Sequence, residues 1–294
     1  MLFRSGGYLV PAPVAREIIQ LSAAGNPLRE LADKVTVSGE GYASLAETSD
    51  GDAGWVGERE DRTVTNGPKF AQQTIPVREI YAQPAVSRRL IDDAAFDVER
   101  VVFDAAARAF SKVENTAFFS GTGPNQPQGL MTVPTVANAD WEYGKIGFEK
   151  SGSASAITAD GLLDLQDALA DEYQANATWL MNQSTWTAIR KLKQGASGAD
   201  KYLLWTPELV DGRIENVLLG VRVRKASAMP SIAANAFPVA YGDFRRAYSV
   251  VDRIGLRLLR DEYTQKGFVK MYFTRMVGGG VKNFEAVKFL KISA

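Results

Sequence analysis

Neither cysteine nor histidine occurs anywhere in this 294-residue chain. Their joint absence removes thiol nucleophiles, disulfides, zinc sites built on thiolate or imidazole, and imidazole general bases. Most familiar hydrolase mechanisms go with them. Carboxylate-pair glycosidases, lysine Schiff-base enzymes and oxygen-ligand metal sites stay open, because they need only Asp, Glu, Lys or Ser. Net charge is missing too. The 34 Lys and Arg balance 34 Asp and Glu, so the chain presents no overall field to nucleic acid or to an anionic membrane. No stretch approaches the ~18 consecutive apolar residues of a membrane span, and MLFRSGGYLVP lacks the apolar core of a secretory signal. A soluble, unexported protein is expected, which makes the glycosylation sequons at Asn176 and Asn182 chance matches.

What the chain does have is apolar material, 46% of its residues, enough to fill one large or two ordinary cores. From Pro11 to about Ala32 apolar residues fall at helical spacing, but Gly25, Asn26 and Pro27 interrupt them, which predicts a short helix and an arm. After Ala43 a polar stretch alternates like strands around Asn66, Gly67 and Pro68, and a long two-stranded excursion is the simplest reading. Such a ribbon carries little core of its own and should lie on something else. Its tip bears Glu58, Arg59, Glu60, Asp61 and Arg62, with Lys69 beyond the turn. These are either a solvated loop or an electrostatic contact with a neighbouring chain.

The strongest helical pattern runs from Asp97 to Phe119, with Val98, Val101, Val102, Ala105, Ala109, Val113 and Ala117 along one stripe and Asp92, Asp93 and Asp97 at its positive end. Gly121 and Gly123 suit a left-handed stop, and Pro124 forbids continuation. From Val133 to about Ala247 helices and strands alternate as an α/β unit, and strands return near the C-terminus.

Candidate chemistry is thin. The glycine-rich loop SGTGPNQPQG follows a helix and leads toward a strand, the reverse of a phosphate loop, so it reads as a corner. Adjacent Asp92 and Asp93 would point about 100° apart on a helix and suit a helix start better than acid-base catalysis. Arg59 and Arg62 would compete with any cation for Glu58, Glu60 and Asp61. Trp179, Met181 and Trp186 read as core. No catalytic, metal-binding or cofactor-binding residue is assigned, and no cofactor is expected.

Four stretches, in order, resemble the major capsid proteins of tailed bacteriophages with the Hong Kong 97-like fold. They are GGYLVPAPVAREII (6–19), PVREIYAQPAVSRRLIDDA (76–94), AFFSGTGPNQPQGLM (117–131) and FTRMVGGGVKNFEAVKFLKI (273–292). The resemblance implies an α+β capsid fold: an N-terminal arm over 1–46, an extended hairpin loop over 47–82, a peripheral domain with a long spine helix over 83–132 and 248–294, and an axial α/β domain over 133–247. It implies a non-enzymatic subunit that self-assembles into hexamers and pentamers around phage DNA. The virion is its place, after assembly in the bacterial cytoplasm. Scaffolding, portal and decoration proteins are further partners of such a subunit; a specific nucleic-acid sequence and a membrane are not. Many members carry a longer segment ahead of GGYLVP, which implies here a trimmed scaffolding segment or one supplied separately. Alternatives are an encapsulin-type nanocompartment shell and, less favoured, a carboxylate-based enzyme.

Some members of that family weld their shells with isopeptide bonds between a loop lysine and a neighbour's asparagine, assisted by a glutamate. Matching GFVK (267–270) to the family places Met271 at the asparagine position, Gly278 at the glutamate position and Arg62 at about the lysine position. None of the three can fill its role. A shell without covalent crosslinks between chains is expected, with Lys69 the one remaining hairpin amine.

Overall fold

The computed structural model describes residues 25–49, 51–56, 59, 61–62, 64–94, 97–192, 205–210 and 213–294. The stretch 6–19 and residues Glu58 and Glu60 lie outside them. Two sheets organise the described chain, which is α+β. The first has six strands in the order β1 (Asp33–Thr36), β12 (Tyr248–Asp261), β13 (Phe268–Val281), β3 (Lys69–Ala82) and β2 (Gly41–Ser49), with β4 (Ala85–Ser87) also on β13. The second has eight, in the order β5 (Thr135–Ala137), β6 (Ile146–Lys150), β14 (Val287–Lys291), β11 (Val239–Gly242), β7 (Thr178–Met181), β10 (Val221–Lys225), β9 (Arg213–Leu218) and β8 (Trp205–Val210).

The long helix α3 (Val98–Ser120) forms as the sequence predicts, and its 23 residues span roughly 35 Å. The Asp97 side chain accepts from Arg100 N at 3.0 Å and caps it. Asp92 and Asp93 do not share that role. They end a separate short helix, α2 (Arg88–Asp93), because Ala94 leaves the helical region. The buried stripe also differs from the expected one. Ala106, Phe110, Glu114 and Phe118 face inward at i, i+4 spacing, whereas Ala105 and Ala109 are exposed and Val113 is 53% exposed. The phenylalanine rings carry far more apolar area than alanine, so they set the face, and Glu114 interrupts the pattern that would have revealed it.

At its C-terminal end the helix turns a corner. Gly121 is extended (φ −65°) rather than left-handed, and its need for glycine is close approach: a Cβ there would lie 2.1 Å from Pro127 O. Gly123, at φ +95°, makes the left-handed bend. The loop is then pinned, with Gln128 N donating to Gly279 O at 2.9 Å and the Tyr248 hydroxyl to Gln128 O at 2.7 Å. A 3-10 turn at Leu130–Thr132 leads into β5.

Residues after Tyr248 do not all return to the first sheet. β12 and β13 do, but β14 lies in the second, between β6 and β11. Val287, Lys288, Phe289 and Leu290 are all buried, and a strand covered on both faces belongs in the middle of a sheet packed on both sides. Helices α4 (Ala159–Asp167) and α5 (Gln183–Arg190) cover that sheet, and Trp179, Met181 and Trp186 are fully buried in its core.

Candidate intersubunit surface

The two-stranded excursion is β2 paired antiparallel to β3, from Gly41 opposite Pro76 to Ser49 opposite Lys69. β3 does two jobs. Its C-terminal half, Val77 to Phe273's partner Ala82, is hydrogen-bonded into the first sheet alongside β13, while its N-terminal half leaves that sheet with β2 alone. Buried Ile75 marks the root. Beyond it the ribbon exposes Leu45 and Phe70, and Trp55 and Val64 near its tip stand fully in solvent. Asp52 N donates to Asn66 O at 2.9 Å, and Asn66 Nδ2 to the Asp52 carboxylate at 2.8 Å, which closes the base of the tip. Arg59, Asp61, Arg62 and Lys69 are all exposed on this element.

Met271 and Gly278 are not on the ribbon but inside the first sheet. The Met271 side chain packs with Ala106, Phe110 and Phe273, under α3. Gly278 faces the β3 backbone so closely that a Cβ would lie 2.5 Å from Pro76 O. In this chain both positions serve packing. On the opposite sheet face, Tyr81 and Tyr272 approach to 6.2 Å between ring centroids, and the Tyr272 hydroxyl donates to Glu79 at 3.1 Å. Leu259, opposite Tyr272 in the ladder, is exposed beside them. Ribbon and sheet face thus each leave aromatic and aliphatic surface uncovered, more than scattered single residues would.

An ionic cluster missed by sequence reasoning fixes the start of the described chain to this sheet. Arg29, in α1 (Pro27–Leu31), reaches Glu114 at 3.1 Å and also pairs with Asp252. Arg275 of β13 reaches Glu114 at 2.8 Å and Asp252 at 3.3 Å. Glu114 is only 2% exposed, and burial pushes its carboxyl above the usual range against the opposing pull of Arg275 and Arg29, with Asp252 raising it further. The one sequence signal was a charge four residues from Phe110 and four from Phe118 on a helix. Lys282 adds a second tie, to Asp33 at 2.7 Å. Among the described residues no group of three or more Asp or Glu could hold a metal ion, and no helix is long and apolar enough to cross a membrane.

The model of the phage capsid family matches residues 6–292, almost the whole chain. The chain belongs to the phage capsid family. Among solved structures it is similar to the capsid of an empty GTA particle, with 36% identity, coverage of 98% of this chain and 97% of the other, and a TM-score of 0.85. The Microbacterium phage Oxtober96 structure, at 14% identity, covers 97% of both chains with a TM-score of 0.72 and shares the fold. The major capsid protein of Klebsiella oxytoca phage phiKO2 is 26% identical over 233 residues, which are 77% of this chain and 51% of that protein. The chain therefore spans about half the length of that curated relative.

Proposed function

We propose that this chain is the major subunit of an icosahedral phage head shell and works by repeated self-association, not by catalysis. The observation that carries this reading is the likeness along 98% of the chain to a capsid structure at 36% identity. In this reading residues 1–46 form an arm, 47–82 the extended loop, 83–132 and 248–294 the peripheral domain and 133–247 the axial domain, with β14 lent to the axial sheet. Subunits gather as hexamers and pentamers. The ribbon lies across a neighbour, with Arg59, Asp61, Arg62 and Lys69, and the adjoining Glu58 and Glu60, supplying polar contacts around the apolar Trp55 and Val64. No crosslink joins the chains through Arg62, Met271 or Gly278. Scaffolding, portal and decoration proteins complete the particle, which forms in the host cytoplasm and ends as the virion head. Its balanced charge suits a lining that should not grip packaged DNA tightly.

Electron microscopy of the expressed chain, alone and with the proteins encoded beside it, tests the reading. Closed shells of uniform size are the expected result. A monodisperse monomer under every assembly condition would overturn it.

A further inference from the structure

Away from every surface described above, three adjacent strands of the second sheet bring an amine, a carboxamide and a carboxyl together. β5 pairs in parallel with β6, and β6 with β14, so that Val136 stands beside Gly147 and Gly147 beside Lys288. Alternate residues share a face, which puts Glu149 on the same side as Gly147. Asn138 directly follows β5, and its side chain comes near enough to Glu149 to lower that carboxyl. Gly147 supplies the space. A Cβ on it would lie 2.8 Å from Asn138 Oδ1 and 3.0 Å from Lys288 Nζ, so the amide and the amine both crowd the point that glycine leaves empty.

The amine is poorly solvated. Lys288 is 4% exposed, between the buried apolar residues Val287 and Phe289, and its Nζ sits 5.4 Å from the centre of the Trp141 ring. Trp141 is held in place by its indole N–H, which donates to Lys145 O at 2.9 Å, and by the turn that begins at Asn138. Burial lowers the Lys288 ammonium below its ordinary range, opposed by Glu285 and Glu149. Burial likewise raises the Glu149 carboxyl, reinforced by Asp164 and opposed by Asn138 and Lys288. A desolvated amine is a better nucleophile, and a carboxyl that keeps its proton can donate it to an amide.

We propose that this cluster forms an amide bond within the chain, joining Lys288 Nζ to Asn138 Cγ. The Lys288 lone pair attacks Asn138 Cγ while Glu149 takes a proton from the amine and delivers one to Nδ2. The Asn138 Cγ–Nδ2 bond then breaks and ammonia leaves. Nothing is oxidised or reduced, and no co-reactant is needed. The bond would staple β5 to β14 across β6, tying the last strand of the chain to the first strand of its sheet.

Tryptic mapping of the full chain, taken from purified soluble protein or particles, tests this. Trypsin does not cut after an acylated lysine, so the expected product is peptide 113–145 joined to an uncut 283–291, lighter than the two linear peptides by one ammonia. Lys288→Arg and Asn138→Ala should each abolish the joined peptide, and Glu149→Gln should reduce its yield at least tenfold while the protein stays folded by circular dichroism. Full cleavage after Lys288 in the unaltered chain would overturn the proposal. So would ammonia loss confined to 113–145, which would mean cyclisation of an asparagine within that peptide and no bond to Lys288.

Discussion

Glu114 shows what one residue does here and why it was hard to read. Its partners Arg29 and Arg275, and the Asp252 carboxylate that shares them, lie on three other elements, and no local pattern relates positions so far apart. Glu114→Ala would leave two arginines facing a single remaining carboxylate in a largely desolvated site, at a cost of about 3 to 5 kcal/mol, measurable by chemical denaturation. Its pH dependence has a definite sign. Because burial raises the folded carboxyl above 4.5, the folded state holds this proton more tightly than the unfolded chain does. The Glu114 contribution to stability is therefore full below 4.5 and declines as pH rises through the raised value. Subtracting the stability profile of Glu114→Gln from that of the unaltered chain should isolate this decline, and an opposite slope would refute it. Phe110 and Val113 make a second contrast. Phe110 is buried against Met271 and Phe273, so Phe110→Ala should cost about 3 to 5 kcal/mol. Val113→Asp, on the solvent side, should stay within about 0.5 kcal/mol. The sequence stripe ranked these two the other way, because it counted apolar positions without weighing their area.

Elements were legible where local signals agreed. An uninterrupted 23-residue helix with an aspartate cap and a corner with glycines and proline could each be placed within a residue or two, and a polar alternating ribbon could be recognised, although its first strand begins at Gly41 and ends at Ser49, well before the expected turn at Asn66. β14 was not, because VKFLK (287–291) fits a buried strand in either sheet, and only pairing with β6 and β11 decides between them. The GGG run of 278–280 had no local explanation either. A Cβ on Gly279 would lie 2.5 Å from the Tyr248 hydroxyl, which is needed to hold the corner at Gln128. Gly279→Val should thus unseat the corner and lower soluble yield severalfold. The ribbon invites the opposite result. Residues 53–65 connect two positions already joined at 2.9 Å, Asp52 N and Asn66 O, so replacing them with two glycines should leave the subunit folded with an unchanged melting temperature. What it should lose is assembly, since Trp55 and Val64 bury nothing within their own chain. Particle yield equal to that of the full chain would show that the tip is not an interface.

For the molecule as a whole, absences narrowed the chemistry without naming the work: lacking histidine, cysteine and net charge, the chain still leaves carboxylate and lysine chemistry open, and self-association was read from the four family-like stretches. Which surfaces are left uncovered was only half visible, because a sequence shows a ribbon without a core but not the sheet face at Tyr81, Leu259 and Tyr272 that also lacks cover. A shell built on such surfaces is held by many interfaces that are each weak alone and strong together. Covalent welding between chains would need an amine on the ribbon and an acyl donor on the neighbour. Arg62 stays protonated and is no nucleophile, the Met271 thioether carries no acyl carbon and is buried under α3, and any side chain at Gly278 would collide with Pro76 O. Even the intrachain bond inferred at Lys288 leaves each polypeptide separate. Particles boiled in denaturant should therefore run on a gel as a single band near 32.0 kDa. A ladder of multimers surviving that treatment would refute a non-covalent shell, and it would point first to Lys69, the exposed amine where β3 begins, so that Lys69→Arg should collapse the ladder to one band.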